Sequence, residues 1–217
     1  MTSVNSVKAV LFDYGMVLSG PADPLAWSQM RTISGLTEDD LHRGYWTHRH
    51  AYDRGDLTGH AYWKKVGSDA GISFTSAQIQ DLIAADLDLW GQLNPPMLDW
   101  AQSLQRAGFP TGILSNIGDA MSAGLLARFD WLADFNHCTW SHTLNLAKPE
   151  PAIYLSTAAS LQTPPPNILF IDDRLENVQA ALATGMQAIQ YLDHSTFEQE
   201  MHSRGLADLL TLASAID

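Results

Sequence analysis

The sequence predicts an α/β fold: a doubly wound, Rossmann-like parallel sheet with a small helical domain inserted after its first strand. Three observations carry that expectation. Unbroken apolar runs without polar alternation, Ala9–Phe12 and Ile168–Ile171 among them, suit strands buried on both faces, as in a parallel sheet. From Met97 to Tyr191 strand-like and helix-like segments alternate, which argues for right-handed β-α-β crossovers. Between about Leu25 and Leu93 there is little strand signal, only helical spacing broken at glycines. The expected division is a core of 1–19 and 95–217 with a helical insert of 20–94.

The elements follow in order. The first strand, Ala9–Phe12, runs into Asp13, and Ser19-Gly20-Pro21 breaks the chain behind it. In the insert, Thr37 followed by Glu38, Asp39 and Asp40 reads as a helix start with acids in its first turn. Ser76 and Gln78 begin a later helix whose apolar side is Leu82, Ile83, Leu87 and Leu89, and Asn94-Pro95-Pro96 closes the segment. A helix over Met97–Arg106 ends before Gly108, a suitable left-handed stop. Then come a strand at Thr111–Leu114, a helix at Ala120–Arg128, a short strand around Phe135 and a helix at Pro151–Ser160. Pro164–Pro166 makes a stiff loop before the strand Ile168–Ile171. A helix Glu176–Ala183 stops at Gly185, ahead of a strand Gln187–Tyr191. The tail from Thr196 to Ile216 reads as one or two amphipathic helices.

Composition narrows the partners. The chain of 217 residues carries a formal net charge of −12, which argues against nucleic acid and anionic membrane. An anionic substrate would need local positive charge from a lysine and a metal. Cys138 is the single cysteine, so no internal disulfide forms, and it reads as a structural thiol in a reducing compartment. The N-terminal residues lack the apolar stretch of a signal peptide, and no apolar run approaches the length of a membrane span. The expected location is cytoplasmic.

Polar residues stand where the apolar runs end, and in open α/β sheets ligands bind outside the carboxyl ends of the strands. Asp13 follows the first run. Ser115-Asn116 follows Ile113-Leu114, Lys148 sits in Ala147-Lys148-Pro149-Glu150-Pro151, and Asp172-Asp173 follows Ile168–Ile171. A carboxylate, a hydroxyl, a lysine and an acid pair, in that order, resemble the four motifs of the haloacid dehalogenase (HAD) superfamily, over roughly Val7 to Tyr191. The insert resembles its helical, C1-type cap.

The resemblance implies a hydrolase in which Asp13 is the nucleophile and Lys148 offsets charge on a phosphoryl group. Ser115 and the backbone N–H of Asn116 would donate hydrogen bonds to that group. Mg²⁺ would be held by Asp13, the carbonyl of Gly15, Asp172 and Asp173. Glu176 and Asn177, on the following helix, would support the acids from behind.

One position departs from the pattern. Most phosphatases of the superfamily carry a second aspartate two places after the nucleophile, which protonates the leaving group, and here that place is Gly15. General acid–base catalysis contributes about 10²–10⁴-fold, so the departure matters. The Asp-x-Gly form is similar to the subgroup that includes the α-D-glucose-1-phosphate phosphatase type. Leaving groups of low pKa are then favoured unless another group donates the proton, with His48, His50 and Tyr14 the first places to look.

Around these lie His42, Arg43, His48, Arg49, His50, Arg54 and His60, either a wet helix surface or substrate contacts. Their spacing does not suit zinc. The aromatic residues of the insert read as its own small core.

The expected activity is a Mg²⁺-dependent phosphatase of small phosphorylated metabolites such as sugar phosphates, through an aspartyl phosphate. The alternatives are a dehalogenase-type hydrolase acting through an aspartyl ester, and a weakly catalytic metabolite-binding module. The resemblance disfavours the first, since 2-haloacid dehalogenases have no acid pair in the fourth motif.

Overall fold

The computed structural model describes residues 7–212. Its centre is a five-stranded sheet in which every adjacent pair is parallel: β1 (Ala9–Phe12), β2 (Thr111–Ser115), β3 (His137–Trp140), β4 (Ile168–Asp172) and β5 (Gln187–Gln190). The spatial order is β3-β2-β1-β4-β5. The chain builds outward from β1 to one side and then returns to its other side, so the strand order reverses beside β1, where such sheets open a crevice at their carboxyl ends.

The unbroken apolar runs are explained by two covered faces. Val10, Phe12, Ile113, Leu169, Ile171 and Ile189 point to one core, together with Trp100 and Leu104 of helix α5 (Pro95–Arg106). Ala9, Leu11, Leu114, Ile168, Phe170 and Ala188 point to the other, against Ile153 and Tyr154 of α8 (Pro151–Ser160) and Val178 of α9 (Leu175–Ala183). Alternate residues of one strand thus serve opposite layers, as the period of two requires.

Between β1 and α5 lie α1 (Pro24–Ser34), α2 (Glu38–Arg54), α3 (Gly59–Asp69) and α4 (Ser76–Leu89). Thr37 caps α2 by accepting from the Asp40 N–H at 3.1 Å, and Thr75 and Gln78 form a reciprocal capping box at the start of α4. The two passages between insert and sheet run side by side, joined by an antiparallel bridge between Ser19 and Leu93. The fully buried Trp63, Tyr45 and Tyr62 belong to the same continuous cluster as Phe12 and Trp100.

The remaining helices are α6 (Asp119–Arg128), the four-residue α7 (Ser141–Leu144) and α10 (His194–Ser203). Two expectations need correction. The short third strand is His137–Trp140, not the stretch around Phe135. Phe135 packs edge-on to Phe12 at 6.1 Å, and Asn136 ties into β2 by donating to the Thr111 carbonyl and accepting from its N–H, so pairing starts only at His137. The tail forms α10 and a short 3₁₀ turn, Ala207–Leu210, and its positions 213–216 lie outside the described residues. Among the described residues no helix is long and apolar enough to cross a membrane.

Candidate active site

A cavity of about 690 Å³ opens at the carboxyl ends of β1, β2 and β4, walled on its far side by the insert. Asp13, Ser115, Asn116, Lys148 and Asp173 line it, as do Gly15, Arg174 and Glu176. Asp172 lies directly beneath, fully buried.

Each side chain is placed by its element. Asp13 is the first residue beyond β1; its N–H donates to the Ile171 carbonyl of β4 at 2.8 Å, and its Oδ1 accepts from the Tyr14 N–H at 2.7 Å. The turn that follows, Tyr14–Leu18, is closed by the Ser19 N–H on the Tyr14 carbonyl at 2.7 Å. Within it Met16 has φ +60°, an uncommon value for a residue with a Cβ. Gly15 does not: its φ is −62°, and a Cβ there would meet no atom within 4 Å. Nothing in the backbone demands glycine at this position.

Lys148 lies in the segment between α7 and α8, before a cis bond to Pro149. Asn116 clamps its backbone, accepting from the Lys148 N–H at 2.8 Å and donating to its carbonyl at 2.9 Å. The sequence had pointed to the backbone N–H of Asn116; the side chain's hold on Lys148 carries no spacing signal, because the two are brought together by the β2–β3 pairing. The ammonium reaches 2.7 Å from both Asp13 Oδ2 and Asp172 Oδ2. Asp172 also accepts from Asn177 Nδ2, at 3.0 and 3.1 Å, and from the Arg174 N–H at 2.8 Å. Glu176 lines the cavity wall rather than backing the acids.

The electrostatics follow from burial. Desolvation, opposed by Lys148 and reinforced by Asp172, raises the Asp13 carboxyl to about 7. Burial and the Asp172 charge raise Asp173 as well. Burial alone would pull Lys148 down, but Asp13 and Asp172 outweigh it and hold the ammonium above its ordinary value. Ligand oxygens of Asp13, Asp172 and Asp173 lie within 4.8 Å of one another. Three carboxylates face one ammonium in a desolvated pocket, so the donor set is all oxygen and short of positive charge. It fits a hard divalent cation such as Mg²⁺.

The insert contributes a wall that the sequence marked only in part. Arg49 is pinned by Asp53, with Nε 3.1 Å from Oδ2, and by both oxygens of the buried Asp86 at 3.1 Å. Tyr45 donates to Asp86 at 2.7 Å, and Trp90 donates to Tyr45 at 3.0 Å. Asp86 and Trp90 carried no distinguishing signal in sequence. Trp63, Tyr45, Tyr52 and Tyr62 are core, as expected, but Trp46 and Trp90 face the cavity. Of the insert histidines, His48 turns away to Asp69 at 2.7 Å, and His50 lines the cavity. Cys138 sits on β3 with its thiol pushed by burial up to about 12, which suits a structural role.

A family model described as haloacid dehalogenase-like hydrolase matches residues 31–185, about two thirds of the chain and all of the second, third and fourth motif positions. The chain belongs to the haloacid dehalogenase-like hydrolases. The bifunctional epoxide hydrolase 2 of Rattus norvegicus is 30% identical over 201 residues, covering 90% of this chain and 35% of that protein. The chain therefore spans about a third of that relative's length. A HAD family enzyme from Bacteroides thetaiotaomicron, solved in complex with magnesium and inorganic phosphate, superposes with a TM-score of 0.74 at 20% identity, over 88% of this chain and 98% of that one. An L-2-haloacid dehalogenase from Xanthobacter autotrophicus, with chloropropionic acid covalently bound, gives 0.64 at 17% identity, over 96% and 88%. At these identities the structural likeness speaks to the fold, which the two share with this chain.

Proposed function

We propose that this HAD-like hydrolase is a Mg²⁺-dependent phosphatase of small phosphorylated metabolites, sugar phosphates among them, acting through an aspartyl phosphate on Asp13. The observation that carries the reading is the gathering of Asp13, Asp172 and Asp173 around the single ammonium of Lys148 at the cavity floor. An acid triad of this kind is superfluous for displacing a halide from carbon and suited to a divalent cation, and the Bacteroides relative was solved with magnesium and phosphate.

Asp13, Asp172, Asp173 and the Gly15 carbonyl would hold Mg²⁺. When bound, the ion supplies positive charge against the phosphoryl oxygens and orients them for in-line attack. The other tasks fall to the chain itself. Asp13 attacks phosphorus through a carboxylate oxygen, and the bond from phosphorus to the leaving oxygen breaks. Lys148, held rigid through Asn116, offsets the equatorial charge, while Ser115 and the Asn116 N–H donate to phosphoryl oxygens. Water then cleaves the acyl phosphate and frees Asp13.

The test is release of inorganic phosphate from a panel of sugar, glycerol and aryl phosphates, with Mg²⁺ and with a chelator, beside a halide-release assay on 2-chloropropionate. Phosphate release that stops on chelation is expected. Halide release that survives chelation would mean a dehalogenase, and ligand binding without turnover would mean a binding module.

A further inference from the structure

The absence of an acid at Gly15 leaves the leaving group without a proton donor on the core side. The sequence singles out three groups that could supply one. Tyr14 is committed elsewhere: it is buried, its hydroxyl donates to the Trp90 carbonyl at 3.1 Å, and burial holds its pKa well above the ordinary tyrosine value. His48 is bound to Asp69 on the outer side of the insert. His50 differs from both. It lies on α2, lines the same cavity as Asp13 and Gly15, and among the described residues no hydrogen bond ties its ring down.

We infer that His50 is the proton donor to the leaving group, taking over from the insert side the task that a core aspartate would perform two places after the nucleophile. This rests on the phosphatase reading. As Asp13 forms its bond to phosphorus and the bond to the leaving oxygen breaks, that oxygen takes a proton from the His50 imidazolium and departs as an alcohol. The neutral imidazole then takes a proton from the water that attacks the acyl phosphate, which returns His50 to its starting state. No further reactant is needed.

Charged groups stand around His50 on both the insert and the core. Asp53, one turn on along α2, and Glu150, from the segment before α8, lie within electrostatic reach of His50. Of the cations near it, Arg49 is occupied by Asp53 and Asp86, and Arg54 by Asp56 and Glu150. Across the cavity stand Lys148, already paired with Asp13 and Asp172, and Arg174, in contact with Glu176. A side chain that is exposed and unbonded can be replaced at little cost to the fold.

The experiment compares the full chain with its His50→Gln variant, both with Mg²⁺, on glycerol 1-phosphate and on p-nitrophenyl phosphate. The first has a poor leaving group that needs a proton; the second does not. The substitution should lower kcat on glycerol 1-phosphate by about 100-fold or more and on the aryl ester by less than about tenfold, with KM little changed and the melting temperature unaltered. Added imidazole should partly restore the rate of His50→Ala on the alkyl ester. Equal losses on both esters, or no loss on either, would overturn the role of His50 while leaving the phosphatase reading standing. A wild type that releases phosphate from neither ester overturns both.

Discussion

On the proposed mechanism, Asp13→Asn removes the attacking oxygen's charge and leaves an amide that neither attacks phosphorus nor ligates a hard cation well. Phosphate release should drop to background while the melting temperature holds, since the two side chains are nearly isosteric. A near-native rate would mean that another group is the nucleophile. Gly15 invites the opposite experiment. With φ −62° and no atom within 4 Å of a Cβ, the position accepts a side chain without strain. Gly15→Asp in the His50→Gln background should therefore recover much of the rate on alkyl phosphates, by restoring a carboxyl where the leaving group departs. Recovery that is no greater on alkyl than on aryl esters would show that the carboxyl does not reach the leaving oxygen.

The elements that matter to the site are held together by close contacts between the insert and the core. The Tyr52 ring of α2 packs against Gly118 at the start of α6, so that a Cβ on Gly118 would overlap it, and the Tyr52 hydroxyl accepts from the Met121 N–H at 3.3 Å. Ser141 donates to the Asp53 carbonyl and accepts from the Ile117 N–H, and the Gly59 N–H donates to Asp119 at 2.8 Å. Gly118→Ala should cost about 1–3 kcal/mol through overpacking and raise KM more than it lowers kcat, because it shifts the wall carrying Arg49 and His50. Thermal melts with steady-state kinetics check this; an unchanged KM would mean that the wall does not touch substrate. Thr75→Ala, which removes one half of the capping box of α4 far from the cavity, should lower the melting temperature by about 2–4 °C and leave kinetics alone.

For the whole molecule, the concentrated negative charge at the cavity floor links stability to pH and to metal. Asp13 is raised from its ordinary 3.8 to about 7 when the site holds no cation. A carboxyl raised on folding keeps its proton in the native state where the unfolded chain has lost it. The stability it contributes is thus fully present below about pH 3.8 and is lost as pH rises toward and through 7. Asp173 shifts in the same direction. In a chelator, the site's contribution should fall from about pH 4 to about pH 7, and the rise in melting temperature on adding Mg²⁺ should grow over the same range, since fewer protons need displacing. Replacing both Asp172 and Asp173 with Ala should abolish the Mg²⁺-dependent rise. An equal rise in the double variant would sink the assignment of the metal site.

The fold was legible because its signals are local and its burial complete. Four consecutive apolar residues such as Ala9–Phe12 or Ile168–Ile171 have few uses other than a strand covered on both sides, and the polar residues that end them fall at the sheet's carboxyl edge by geometry alone. Asp13, Ser115, Lys148 and the acid pair could be named from that and from the order of the motifs. The insert was legible as helices through Thr37 and through Ser76 and Gln78, but not as a cavity wall. Period 3.6 separates a buried face from a wet one, yet which wet residues meet the core depends on how two bodies dock. Only the tertiary structure separated His50 from His48, two positions apart on one helix, sending one to the cavity and the other to Asp69. The same docking turned Trp46 and Trp90 outward from the insert's core. A sequence states what each helix must bury; which of its exposed side chains become chemistry is decided by contacts dozens of residues apart, such as those of Tyr52 with Gly118 and Asp119 with Gly59, that leave no periodic trace along the chain.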